Sequence, residues 1–273
     1  MIVKVFPWQN IGDFMSQVLR VWPLLTAMHR YDKATSTRNR GMGTMIDAPI
    51  LAYLIETRQG RILYDVGCDY KKIADPILRK EFYESGESPF PPPEMPESYR
   101  LPNTLQKIGL KPTDIDVVLL SHLHFDHAGG LCDFCGCEIH AHYDEYYVAK
   151  KGGDGYFPAD FEGDYRWKLQ TDEYDIVPGL RTINTPGHTA GHTSLMIEMP
   201  VGKPIILAGD AADLQENITD EVAPGLCWND REDLAISSIQ KLKHISNSTG
   251  SIIWPNHDIQ FWREFASQSA WHV

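Results

Sequence analysis

Apolar and polar positions along the chain alternate in short runs of differing period, and each period predicts an element. Residues 49–56 (PILAYLIE) and 60–66 (GRILYDV) are rich in aliphatic and aromatic side chains. They flank Thr57-Arg58-Gln59, which predicts a β-hairpin. Residues 115–120 (IDVVLL), 138–141 and 251–254 predict further strands, and residues 189–198 with 204–207 bracket another hairpin-like region. Residues 230–246 place Leu234, Ile236, Ile239, Leu242 and Ile245 at a helical period, with acidic residues in the first turn, so a helix is predicted there. Residues 101–110 and part of 70–83 also read as helical. Residues 12–28 carry Phe14, Val18, Leu19, Val21, Trp22 and Leu25 at a spacing that predicts an amphipathic helix bent near Pro23. Residues 35–43 are a polar loop, and the prolines of 87–100 (ESPFPPPEMPESYR) predict a stiff surface excursion without regular structure. A short helical tail is expected after Trp254. Strands mixed with helices throughout predict the α/β (α+β) class, a sandwich of sheets covered by helices.

Composition narrows the partners. A chain of 273 residues lies in the range where a layered core stays one unit, so one domain over residues 1–273 is expected. Hydrophobic residues make up 42% and charged residues 23%, enough to pack a core without disulfides or structural metals. The net charge of −12 and the lack of any Lys/Arg run argue against a nucleic-acid partner. No stretch approaches the ~20 apolar residues of a spanning helix, so no membrane partner is expected. The first residues, MIVKVFPWQNIGDFM, do not read as a signal peptide. The five cysteines are odd in number and three crowd at Cys132, Cys135 and Cys137, which reads as reduced thiols in a cytoplasmic protein.

The chemistry concentrates in Ser121-His122-Leu123-His124-Phe125-Asp126-His127-Ala128-Gly129-Gly130, directly after a predicted buried strand. Three imidazoles and a carboxylate within six residues suit a metal of the Zn, Fe or Mn type better than Ca. If the chain turns there, His122 and His124 face one ion while Asp126 and His127 face another. Further candidates sit where other strands end: His188 in TPGHTAGH, Asp210 after the apolar run 205–207, and His257 in PNHD. Asp65 ends the strand LYDVG, where a carboxylate can orient a metal-bound imidazole, and His192 reads as a supporting residue rather than a ligand. His140 and His142 lie on a predicted strand and are expected to be structural. The cysteine run lacks the fourth ligand and the spacing of a zinc knuckle.

The combination HLHFDHAGG, TPGHTAGH, an apolar run ending in Asp, and a late NHD resembles the metallo-β-lactamase superfamily, and within it the N-acyl-homoserine-lactone lactonases. The framework segments LAYLIETRQGRILYDVG, LQKIGLKPTDIDVVLLSHLHFDHAGG, YDIVPGLRTINTPGHTAGHTSL and LAISSIQKLK are similar to that group as well. The resemblance implies an αββα sandwich of two mixed β-sheets. It implies His122, His124 and His188 on one metal, Asp126, His127 and His257 on the other, and Asp210 bridging both. Two divalent ions follow, zinc first, with iron, manganese or cobalt as alternatives, acting on a small-molecule substrate in a monomer or homodimer. His at position 124 disfavours the diiron redox branch, and Asp rather than Cys at 210 disfavours the β-lactamases that use a thiolate. The expected activity is quorum-quenching hydrolysis of a lactone by a metal-bridging hydroxide, with Asp126 or Asp213 moving the proton to the leaving group.

One position departs from the group. Where its members usually place a tyrosine, three residues after the bridging Asp, this chain has Asp213, and a carboxylate donates no hydrogen bond unless protonated. That departure keeps open another carboxylic ester, a thioester or a cyclic amide as substrate, and Asp213 itself reads equally as a solvated residue at a helix start. Tyr143, Tyr146 and Tyr147 are tyrosines close in sequence to the motif. Segments 1–48 and 69–100 match the group least, and Phe14, Trp22, Phe82, Tyr83 and Phe90 within them are expected to shape the substrate pocket.

Overall fold

Strands that are apolar on both faces need cover on both sides, and that requirement organises the molecule. The computed structural model describes residues 16–84, 90–266, 271 and 272. One sheet contains β1 (Val18–Asp32), β2 (Met45–Thr57), β3 (Gly60–Tyr64), β4 (Val117–Leu119), β5 (Glu138–His142) and β6 (Arg166–Gln170), side by side in that order. Pairing is antiparallel from β1 to β3 and parallel from β3 to β6. The second sheet contains β7 (Asp175–Val177), β8 (Leu180–Asn184), β9 (Thr193–Ile197), β10 (Ile205–Leu207) and β11 (Ile252–Trp254). Only its β10–β11 pair is parallel. A last strand, β12 (Trp271–His272), pairs with Arg20 and Val21 at the outer side of β1.

The alternation of side chains along β2 and β3 separates the cores. Ala52, Leu54 and Leu63 point to one side, where they meet Leu101 and Leu105 of helix α3 (Leu101–Lys107) and Phe134. Leu51, Tyr53, Ile55, Ile62 and Tyr64 point to the other and pack on Leu180, Leu195, Leu207 and Trp254 of the second sheet. The outer face of that sheet, with Ile183, Ile206 and Ile253, is covered by Leu242 of helix α7 (Glu232–Thr249). α7 buries Ala235, Ser238, Ile239 and Leu242, one helical stripe, and full burial of each aliphatic side chain there stabilises by about 1.5–3 kcal/mol. The layers are therefore helix, sheet, sheet, helix, as expected.

The helix predicted over residues 12–28 is wrong. Residues 12–15 lie outside the described residues, and Val18–Asp32 is a strand. Two register irregularities, between Val18 and Arg20 and between Leu25 and Ala27, shift the phase of its alternation. The first shift puts Val18 and Val21 on one face, and Leu24 is buried on the other, so the buried positions follow a spacing of three that imitates a helix. Pro23 is tolerated because, among the described residues, β12 covers only Arg20 and Val21 and the next partner on that side is Glu94 at Met28, so β1 is an edge at Pro23. The segment 70–83 is helical but broken. α1 (Tyr70–Ala74) stops at Asp75, whose side chain caps α2 (Pro76–Arg79). The proline-rich stretch holds to β1 through paired backbone hydrogen bonds between Met28 and Glu94, with Met95 buried beneath it. It is a wall of the molecule rather than an excursion. Strands β6, β7 and β8 escaped sequence reasoning, as did helices α5 (Tyr143–Ala149) and α6 (Gln215–Asp220). These elements are short, and their apolar residues are too few to set a period. Among the described residues, no helix is long and apolar enough to cross a membrane.

Candidate metal centre

Every predicted donor follows the carboxyl end of a strand, and strand direction brings those ends together. β3 and β4 are parallel; β8 and β10 both oppose β9, and β11 runs with β10. A hydrogen bond from the Thr193 N–H to the Ser121 carbonyl (2.8 Å) ties the two sheet edges together beside the motif. After β4 the chain passes Ser121 to His124 and enters the single turn α4 (Phe125–Ala128), which carries Asp126 and His127.

The donors form two groups. His122 Nε2 and His188 Nε2 lie 3.0 and 3.1 Å from His124 Nδ1. His127 Nε2 and His257 Nε2 lie 3.7 and 3.8 Å from Asp126 Oδ2. Asp210 stands between them. Its Oδ2 is 3.5 Å from His188 and 3.8 Å from His122, and its Oδ1 is 3.3 Å from His127 and 3.2 Å from His257. Ligands about 2.0–2.1 Å from a shared tetrahedral ion stand roughly 3.3 Å apart, so each group has the dimensions of a cation site. The Nε2 of His127 is buried without a hydrogen-bond partner, as expected of a lone pair meant for an ion.

Hydrogen bonds behind the ring set the tautomers. His127 Nδ1 donates to Asp65 Oδ2 (2.8 Å), His257 Nδ1 to the Pro49 carbonyl (2.8 Å), and His188 Nδ1 to the Leu226 carbonyl (3.2 Å). Each leaves Nε2 free to face the centre. Asp65 also accepts from the Ser121 N–H and hydroxyl, and it holds a left-handed backbone conformation (φ +62°) that a non-glycine residue adopts at a cost. His192 stands outside the ring: its Nε2 accepts from the Asp210 N–H (2.9 Å), fixing the shared carboxylate from behind. Asn256 donates to Asp210 Oδ1 (2.9 Å).

The two halves differ electrically. Burial, reinforced by neighbouring imidazoles, holds His122 and His124 well below the usual histidine range, so they are neutral lone-pair donors. Burial opposes charge on His257 too, but Asp210, with Asp213 and Asp126, outweighs it and pushes the imidazole up to about 10. His127 is raised likewise against its burial, by Asp210, Asp126 and Asp65. Protons gather where the carboxylates would otherwise hold a metal cation. Nitrogen-rich on one side and mixed nitrogen and oxygen on the other, the donor set fits divalent Zn, Fe, Mn or Co.

Glu145 of α5 is a residue the sequence did not announce. Fully buried, its Oε1 accepts from the Leu123 N–H and the Tyr156 hydroxyl (both 3.0 Å), and its Oε2 from the Gly191 N–H (3.0 Å). One carboxylate thus joins the loop of His122 and His124 to the loop of His188, while the Tyr156 ring lies 4.6 Å from that of His124.

A cleft opens over the donors, lined by His29, Tyr31, Phe90, Phe125 and Leu226 beside Asp126, Asp210 and Asp213. Asp213 is 4% exposed, so the solvated reading of this residue fails. Burial, then Asp210, raises it well above the carboxylate range, and its Oδ1 has no hydrogen-bond partner. Tyr31, which lies between the predicted helix and the polar loop and drew no sequence reading, brings a phenol to the same cleft, 3.0 Å from the Ser36 hydroxyl. Tyr143 and Tyr147 are exposed and face each other, and Tyr146 packs on Trp167. Of the aromatics expected around the pocket, Phe90 lines the cleft. Phe82 and Tyr83 stand one layer back against Phe157 (5.2 and 5.4 Å), Trp22 donates to Glu56 instead, and Phe14 lies outside the described residues. His140 bonds Glu138 and Tyr174, His142 caps α5, and all five cysteines are free.

Known proteins are similar to this chain in sequence and fold. The model of the metallo-beta-lactamase superfamily matches residues 46–257. An N-acyl homoserine lactonase of a Bacillus species is 35% identical over 218 residues, 80% of this chain and 84% of that protein. One from Bacillus cereus is 33% identical over 229 residues, covering 84% and 89%. A solved N-acyl homoserine lactone hydrolase, with the product N-hexanoyl-L-homoserine at its catalytic metal center, superposes with a TM-score of 0.82 at 30% identity. That superposition covers 91% of this chain and 96% of the other.

Proposed function

The chain belongs to the metallo-beta-lactamase superfamily, and from that premise we propose that it hydrolyses the lactone ring of N-acyl homoserine lactones. The observation that carries the proposal is Asp210, which gives one carboxylate oxygen to each of two donor groups at the floor of a cleft. His122, His124 and His188 would hold one divalent ion, Asp126, His127 and His257 the other, and Asp210 both. Zinc is the ion this set favours, with iron, manganese or cobalt as substitutes. Bound ions would supply a hydroxide at neutral pH and polarise the substrate carbonyl.

The chain's own residues do the rest. Asp65, the Pro49 carbonyl and the Leu226 carbonyl keep the imidazoles in the tautomer that faces the centre. Addition of hydroxide to the ring carbonyl and cleavage of its bond to the ring oxygen leave an alkoxide that needs a proton. Asp126 and Asp213 are the carboxylates on the cleft proposed to deliver it. Phe90, Phe125 and Leu226 offer apolar surface to the acyl chain. The ring-opened product no longer carries the lactone signal, so the activity is quorum quenching. Residues 1–273 are taken as one hydrolase domain, and the free thiols fit the reducing cytoplasm.

Metal analysis of the purified protein combined with a pH-stat assay on γ-lactones of varied acyl length tests the proposal. Two ions per chain and acid release from the acyl homoserine lactones are expected. Bound ions with turnover of linear esters or thioesters only would refute it.

A further inference from the structure

The proposed substrate differs from a plain lactone by its acyl amide, and the cleft lining holds a hydrogen-bonding side chain in His29. This inference rests on the lactonase reading above and specifies how that site selects its substrate. His29 lies on β1, 4% exposed, and lines the cleft. It stands edge-on to Tyr31, Phe90 and Phe125, with ring centroids 5.1, 6.0 and 6.0 Å away. Its Nε2 is 2.8 Å from the carbonyl oxygen of Pro91. A carbonyl only accepts, so Nε2 carries the hydrogen, and in a neutral imidazole the other nitrogen is then an acceptor only. Burial keeps the ring below the usual histidine range against the pull of Asp126, which is the neutral state this tautomer needs. Nδ1 makes no hydrogen bond among the described residues, and unlike the sealed Nε2 of His127 it keeps exposed surface.

A lone acceptor among aromatic rings discriminates by what it leaves unpaired. An unsubstituted N-acyl homoserine lactone has one hydrogen-bond donor, its amide N–H, placed between the lactone ring and the acyl chain. The cleft lining supplies the same three chemistries: metal donors, His29, and the apolar side chains Phe90 and Leu226. We propose that His29 Nδ1 accepts the amide N–H of the substrate, making His29 the residue that separates acylamino lactones from plain alkyl lactones.

The test compares kcat/KM for N-hexanoyl-homoserine lactone with that for a γ-alkyl lactone of matched chain length, in the wild type and in His29→Leu. The preference for the amide substrate is expected to shrink about ten-fold in the variant, the size of one lost hydrogen bond to a buried group, with the change in KM. An unchanged preference overturns the inference. A measurement on the wild type alone serves if the variant does not fold. The N-methylated amide, which has no N–H, should be a poorer substrate than the parent by a similar factor, and equal turnover of the two overturns the inference. Failure of the lactonase reading would look different, since the wild type would then open none of these rings.

Discussion

At the scale of single residues, the motif gave away the donors and hid what holds them. His122, His124, Asp126 and His127 were legible because so many donors in six positions have no other economical explanation, and His188, Asp210 and His257 because each follows a strand. Glu145, Tyr31 and His29 were illegible because their roles depend on burial and register, which a single position does not reveal. Glu145 makes a sharp prediction. In Glu145→Gln the amide NH2 must face a donor whichever way it turns, either the Gly191 N–H or the Leu123 N–H with the Tyr156 hydroxyl. Affinity for the ion held by His122, His124 and His188 should fall about 10–100-fold, read by competition with a chromogenic chelator. Unchanged affinity would mean the two loops hold their places without it. The charged imidazoles predict a proton count. His257, pushed up to about 10, is protonated at pH 8 in the ion-free protein, and His127 is raised in the same direction. Metal binding must displace those protons, so affinity weakens as pH falls. Calorimetry at pH 8 in buffers of different ionisation heat should register proton release, and heats independent of buffer would contradict the assignment.

At the scale of elements, the long regular runs were readable and the irregular ones were not. The β2–β3 hairpin and α7 follow the expected pattern because a single period persists along each. β1 failed because its irregularities reset the alternation, and with it went the cleft wall that carries His29 and Tyr31. Gly129 and Gly130 of the motif have a packing reason: a Cβ on Gly130 would lie 2.2 Å from the Val66 carbonyl oxygen, and one on Gly129 would lie 2.5 Å from the Asp69 nitrogen. Backbone cannot yield as a side chain tip can. Gly130→Ala should therefore destabilise the fold by about 1–3 kcal/mol in denaturant unfolding, and it should weaken metal binding by pushing His127 away from Asp65. A variant as stable as the parent would show that the loop relaxes freely.

At the scale of the whole molecule, the donors come from both sheets: His122, His124, Asp126 and His127 from the first, and His188, Asp210 and His257 from the second. Ions bound there would clamp the sandwich at one edge. Stripping them with a chelator should lower the Tm, since an ion present at 100 times its Kd contributes about 2.7 kcal/mol per site, and restoring them should raise it again. A sandwich of sheets covered by helices was foreseeable from strands mixed with helices, the two-sheet layer order from the family resemblance, and the position of the centre from the rule that sites gather at strand ends. The central claim is that two ions on this donor set open an acyl homoserine lactone. Titrating chelator-stripped protein with zinc while following N-hexanoyl-homoserine lactone by mass spectrometry tests it most directly. Ring opening should rise from near zero and level off at two ions per chain, with the product heavier by one water. Full activity without metal, or an intact lactone at two bound ions per chain, would contradict it.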